Sequence, residues 1–462
     1  MKRFMILVTA ALCISLCAGV AYAAPSVKIS DKKDRVTIEE GVTAEILAQL
    51  KKEIGDGKGV IFTLKKTNNE DLAKLCAAFP GLKELDMDGP EELTTIAPMA
   101  KLTEITRFRM DGGSVEDFSP LSGLTTLTTL RARGKSHDTG VLAPDLKWMS
   151  KLTNLTSLHL EAPTKLRTLV SFEGIPALPK LTSATLTGGA PADLTPLQAL
   201  SGLKSLDLER SVLPDLAPLT GLPALEKLTL GGAEVKDFSP LAGCPALKEL
   251  TVSRAEKADY STLGKLAQVE TLIAAGTVGA TIDDISWIPG MTNLKKLELY
   301  SQKIADYSPL AKLQLEDLTL SRMDNPADLS QLSGIASLKK LSLSQIKVAD
   351  GFEGLASLVN LEALDLKDME AKRATPVDMA FAKALINLKN LDLSGSEISG
   401  NFDAVANCVK LEKVNLSGTT GITSFDVLKK LPNLVELRVP KDTFTEAQLA
   451  GFANPKIKIT QR

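Results

Sequence analysis

Between Leu82 and Val439 the chain repeats an apolar triplet, L-x-x-L-x-L, sixteen times, with Ile, Val, Phe, Met or Ala sometimes standing for Leu. The interval is mostly 22 or 23 residues, and is clearest where Leu203/Leu206/Leu208, Leu225/Leu228/Leu230, Leu247/Leu250/Val252 and Val269/Leu272/Ala274 follow one another. A unit this short cannot bury its own apolar face, so it must stack on copies of itself. The second and third apolar residues of each triplet are two apart. In an extended chain that spacing puts both on one face and the residues between them on the other. Each triplet therefore predicts a short strand, and the strands at Leu85, Phe108, Leu130, Leu158, Ala184, Leu206 and onward to Leu437 should lie parallel in register.

About ten residues after the triplets comes a second signature: Asp117-Phe-Ser-Pro-Leu121, Asp193-Leu-Thr-Pro-Leu197, Asp215-Leu-Ala-Pro-Leu219, Asp237-Phe-Ser-Pro-Leu241 and Asp306-Tyr-Ser-Pro-Leu310. Asp caps a turn by accepting backbone N–H bonds, and Pro fits a first helical turn where no donor is needed. The return leg of each repeat is thus expected to be a short helical turn. A strand, a capped turn and a leucine-bearing return leg at this period resemble the leucine-rich repeat family, specifically its 22-residue, internalin-like class. The resemblance covers residues 60–440. It implies an α/β solenoid: a curved right-handed β-α superhelix with a parallel concave β-sheet and short helical or 3-10 convex turns. One departure stands out. The family places Asn at the ninth repeat position, where this chain has Gly113, Gly189, Ser211, Ala233, Ala255, Thr277, Ser396 and Thr419.

Around the repeats the sequence divides into a signal peptide (1–23), an N-terminal cap helix region (24–59), the solenoid (60–440) and a C-terminal cap (441–462). Lys2 and Arg3, an apolar run through Val20 and the small-residue site Ala21-Tyr22-Ala23 have the layout of a secretory signal, so the mature chain should begin at Ala24. Neither Cys13 nor Cys17 follows the small residue that a lipoprotein site requires. No transmembrane segment is expected after signal removal. The mature chain has 52 basic and 56 acidic residues, a balance that gives no reason to expect nucleic acid as a partner. Thr43 opens a helical pattern (Ile46, Leu47, Leu50, Ile54) ended by Gly55; Thr67-x-x-Glu70 reads as the capping box of a second helix, and Thr445-x-x-Gln448 as that of a third. Cys76, Cys244 and Cys408 are expected as buried free thiols rather than disulfide partners.

No catalytic or cofactor motif is present. The sequence has no phosphate loop, no C-x-x-C and no H-E-x-x-H, and its two histidines, His137 and His159, are too few for a multi-histidine metal site. Ser157, His159 and Glu161 alternate on one strand, with nothing to supply a strained nucleophile turn or an oxyanion hole. Trp148 and Trp287 hold equivalent places on the convex side and are expected as filling there. The long repeats of 131–184 are the first place where inserted loops could carry recognition.

Outward strand positions say more. Arg107, Arg109, Arg131 and Arg133 fall on adjacent strands beside His159 and Glu161, flanked by Glu84, Asp86 and Asp88. Like charges directly opposite one another cost stability unless something compensates. Two readings follow: a recognition site for an anionic ligand or acidic protein surface, or a surface network in which Asp86, Asp88 and Asp111 neutralise the arginines. The expectation is an exported, non-enzymatic, monomeric protein, periplasmic or secreted, that binds a protein partner on its concave face and needs no cofactor. The alternatives are an envelope-associated scaffold without a discrete ligand, or an adhesin-like protein.

Overall fold

The computed structural model describes residues 27–461 except 91, 135–145, 162–171, 189–190, 192, 214, 232–234, 256–257, 278–280, 350, 370–373, 446–447 and 449–450. The signal segment, His137, Gly189, Ala233 and much of the inserted length in the long repeats lie outside the described residues. The chain forms two compact units, one up to Val235 and one from Lys236 onward.

In the first unit, strands Glu84–Asp88, Arg107–Asp111, Thr129–Arg133, Ser157–Glu161, Ser183–Thr187, Ser205–Asp207 and Lys227–Gly231 pair parallel, each with the next. Leu85, Phe108, Leu130, Leu158, Ala184, Leu206 and Leu228 stand in one register column and are buried, as the triplet spacing requires. In the second unit the strands from Glu249–Ser253 to Lys458–Gln461 likewise pair parallel, with Leu250, Leu272, Leu297, Leu318, Leu341, Leu364, Leu391, Val414, Leu437 and Ile459 in register and all but the terminal Ile459 buried. This is the leucine-rich repeat fold, a parallel sheet backed by short turns.

Those return legs are 3-10 turns. In Ser119–Gly123, Thr195–Ala199, Ala217–Gly221, Ser239–Gly243 and Ser308–Lys312, the Asp two residues ahead accepts the first backbone N–H at 2.7–2.8 Å. The leucine of each motif is buried beneath its turn, and the aromatic before Ser fills the layer between. Tyr307 takes the place of Phe118 and Phe238, and its hydroxyl, fully buried, finds no partner among the described residues. Burial pushes its pKa up. Tyr307→Phe removes an unpaired polar atom without changing shape, so it should raise stability by about 1 kcal/mol, read by chemical denaturation. A loss of stability would reveal a partner for the hydroxyl.

The caps depart from expectation in two places. Helix Ala44–Ile54 is capped by Thr43 as its sequence implies, but helix Asn69–Ala78 is capped by Asn68, which accepts from the Asp71 N–H at 2.9 Å, rather than by Thr67 with Glu70. Thr67 is buried instead. An antiparallel hairpin, Val27–Ile29 with Arg35–Ile38, precedes the first helix, and its second strand extends the sheet by pairing parallel with Ile61–Lys65. At the other end the capping-box bonds between Thr445 and Gln448 form in both directions.

The missing ninth-position Asn is replaced by several devices. Gln302 occupies that position on its repeat and is buried, donating to the Ala274 carbonyl at 3.2 Å and accepting from the Ile282 N–H at 2.6 Å. Ser396 and Thr419 donate their hydroxyls to the carbonyls of Leu366 and Leu393 at 2.6 and 2.8 Å. A second set stands just before the strands, where Asn154, Asn293, Asn360, Asn387 and Asn433 each donate to a carbonyl of the preceding repeat at 2.9–3.0 Å. Beside them in the second unit runs a row of alternating sign, Lys248, Glu270, Lys295, Glu316, Lys339, Glu362, Lys389 and Glu412. Its ion pairs, Lys248–Glu270, Lys295–Glu270, Lys339–Glu316 and Lys389–Glu362, measure 2.8–3.3 Å. Such exposed pairs add little stability singly. A slip by one repeat would set like charges side by side, so the row favours the native repeat order.

Candidate functional site

The three strands Arg107–Asp111, Thr129–Arg133 and Ser157–Glu161 bring all six sequence-selected residues onto one face. Pairing in register sets Asp86, Arg109, Arg131 and His159 in one column and Asp88, Asp111, Arg133 and Glu161 in the next. Adjacent strands lie about 4.8 Å apart, so neighbours in a column are within side-chain reach.

The arginines are paired throughout. Arg107 reaches Glu84 at 3.5 Å and Asp86 at 3.6 Å. Arg109 and Arg131, directly opposite each other, share Asp111: Arg109 Nε donates to Oδ2 at 2.8 Å and Arg131 Nε to Oδ1 at 2.9 Å. Burial alone would raise the Asp111 pKa; the bonds from the two guanidinium groups outweigh it and hold the carboxyl below its usual range. The same bond raises the pKa of Arg109.

Glu161 is the second hub. It is 8% exposed, with His159 Nε2 at 3.3 Å, Arg133 Nε at 3.4 Å and Arg210 Nη2 at 2.7 Å. The hydrogen bond from His159, then that from Arg210 together with the charge of Arg133, outweigh burial and hold the Glu161 carboxyl at about 2. Arg210 is the member that sequence reasoning missed. It follows strand Ser205–Asp207 in the left-handed conformation, φ 62°, and reaches back across the Ser183–Thr187 strand, passing Thr187 Oγ1 at 3.4 Å. Strand alternation says nothing of where a side chain in that conformation points, so no sequence signal located it.

Five guanidinium groups thus face five carboxylates, counting Asp88, whose charge also acts on Arg109. The acidic stripe is the counter-charge of the arginines rather than a separate patch. The network is not sealed, however. The side chains of Arg107, Arg109, Arg131 and Arg133 remain 37–48% exposed, while the side chains of Asp86, Asp111 and Glu161 beneath them, taken without their backbone, are 11–17% exposed. Guanidinium groups pinned from below and open above form a preorganised donor surface.

Trp148 and Trp287 lie, as expected, on the turn side. Trp148 stacks on Phe118 with ring centroids 5.8 Å apart, and Trp287 Nε1 donates to the Asp284 carbonyl at 2.8 Å. Cys76, Cys244 and Cys408 are buried thiols outside any disulfide among the described residues, and burial pushes them up to about 12, 11 and 12. Among the described residues no group of three or more His, Cys, Asp or Glu could hold a metal ion, and no helix is long and apolar enough to cross a membrane.

Three solved structures are similar to this chain. An internalin from Listeria monocytogenes is 22% identical over 80% of this chain and 84% of its own, with a TM-score of 0.38. A leucine-rich repeat protein of Leptospira interrogans is 17% identical over 86% of this chain and 99% of its own, with a TM-score of 0.48. TLR13 in complex with ssRNA13 is 16% identical over 86% of this chain and 72% of its own, also at 0.48. The fold assignment rests on the repeat geometry itself, and no site or partner is carried across from these three. No family model and no curated protein matches the chain.

Proposed function

We propose that the chain is an exported, non-catalytic binding protein whose open sheet face, the concave face of a leucine-rich repeat solenoid, recognises another protein. Arg107, Arg109, Arg131, Arg133, His159 and Glu161 form part of the recognition site. The observation that carries this reading is the row of half-exposed guanidinium groups fixed by less exposed carboxylates, a surface suited to acidic side chains. Arginines so held lose little freedom on binding and dominate interfaces when desolvated.

The test follows from the pairing. Asp111 depends on Arg109 and Arg131, so replacing all four arginines would strand it; Arg107 and Arg133 have the longest contacts, 3.5 and 3.4 Å, and leave Asp111 paired. The double variant Arg107→Ser/Arg133→Ser should melt within about 0.5 kcal/mol of wild type, as exposed pairs do. Quantitative capture from envelope and host extracts should show a protein retained by wild type and reduced about tenfold by the variant. Identical captured sets at low salt would favour the second reading, an envelope scaffold without a discrete ligand, which the equal numbers of guanidinium and carboxylate groups support.

Export is proposed on the layout of residues 1–23, with the cap, solenoid and cap divisions at 24–59, 60–440 and 441–462. Mass spectrometry of chain recovered from the periplasm or medium should give a product starting at Ala24. Recovery of the folded chain with Met1 retained would overturn it.

A further inference from the structure

The unit from Lys236 onward has a hollow of about 310 Å³ on its open sheet face, and Ala363 is its cause. In one outward column Lys340, Ala363, Asn390 and Lys413 are neighbours in register, so a methyl group stands where the column otherwise carries long side chains. The partly exposed Ala363 methyl group lies at its base, with the buried Leu364 and Leu391 beneath.

The next column sets Asp365 directly opposite Asp392. Asp365 accepts from Ser342 Oγ at 3.2 Å and the Lys367 N–H at 3.0 Å, with Lys367 Nζ at 3.5 Å. Asp392 accepts from Ser394 N–H at 2.8 Å, Ser394 Oγ at 2.6 Å and Asn415 Nδ2 at 2.9 Å; all of these donors are neutral, and it has no ion pair among the described residues. The rim cations are committed elsewhere, Lys340 to Asp317 at 3.2 Å, Lys413 to Glu436 at 4.0 Å and Arg438 to Glu436 at 2.8 Å. The Asn390 side chain makes no hydrogen bond among the described residues and lies exposed at the mouth. Two carboxylates side by side without a shared cation are unfavourable as they stand.

We propose that this hollow receives one basic side chain, lysine or arginine, of the protein partner. Its methylene stem lies over the Ala363 methyl group, and its head group donates to Asp392 and Asp365, with the Asn390 amide oxygen as a further acceptor. An apolar floor ending in carboxylates matches the two halves of such a side chain, the stem and the charged head. The inference rests on the open sheet face being the binding face, and its test is independent of partner capture.

Saturation-transfer difference NMR on the full mature chain, with Nα-acetyl-argininamide and Nα-acetyl-lysinamide as probes and Nα-acetyl-norleucinamide as the uncharged control, reads the contact directly. The two basic probes should show transfer to their methylenes and the control should not. Ala363→Lys fills the hollow with a cation and should abolish the signal. Asp392→Asn, isosteric and half-buried, should weaken it about tenfold, the loss of one charge-assisted contact. Equal transfer to norleucinamide, or undiminished transfer in either variant, would overturn the proposal. The Arg107→Ser/Arg133→Ser variant should bind the probes as wild type does, so the two site assignments fail separately.

Discussion

Leu130→Asp is expected to unfold a large part of the first unit. Leu130 is fully buried and stacked in register between Phe108 on one side and Leu158 on the other. Truncating such a leucine to Ala would cost about 2–5 kcal/mol from lost transfer energy and the cavity left behind. Asp adds a charge with neither water nor a counter-ion in reach, so the loss should exceed about 4 kcal/mol. Stability in a repeat array is held mainly by contacts between neighbouring layers, so the damage should spread along the stack. Hydrogen exchange read by mass spectrometry should show protection lost across strands Arg107–Asp111, Thr129–Arg133 and Ser157–Glu161. Thr129→Asp, one residue earlier and on the open face, should change stability by no more than about 0.5 kcal/mol. Equal effects of the two substitutions would mean that the inward and outward assignment of these strands is wrong.

The strands were legible because each carries its burial pattern locally: Leu228 and Leu230 are two apart, and the same pair recurs at Leu250 and Val252. The Asp-x-Ser-Pro-Leu turns were legible for a similar reason, since Asp237 and the N–H that it caps are two residues apart. What could not be read depends on contacts between repeats. Arg210 and Glu161 are 49 residues apart and meet only through a left-handed residue after a strand. Gln302 serves where the family has Asn, because a longer amide reaches carbonyl and amide groups on the repeat before it. The hairpin Val27–Ile29 with Arg35–Ile38 lies outside the repeat and is too short to show a period. The arginine block was visible as a pattern of positions, but its neutrality was not. Which carboxylates sit beneath which guanidinium groups depends on side-chain reach across strands.

Glu161→Gln is expected to be the costliest single change on the open face. Its carboxyl is held at about 2 against an ordinary value of 4.5, a gap that corresponds to about 3 kcal/mol of stability near neutral pH. Because the folded value is the depressed one, that contribution is complete above 4.5 and is lost as the pH falls towards about 2. Urea unfolding should therefore separate wild type from variant by about 3 kcal/mol near pH 7 and bring them together near pH 2. The relief available to the stranded cations limits the loss: Arg133, 48% exposed, can turn to water, whereas Arg210 has a buried Nε with no partner even in the intact network. A variant as stable as wild type near pH 7 would show that Glu161 merely decorates the surface. The expected loss would instead show that one carboxylate fixes His159, Arg133 and Arg210 together, and a donor surface assembled in advance of any ligand requires that kind of fixing.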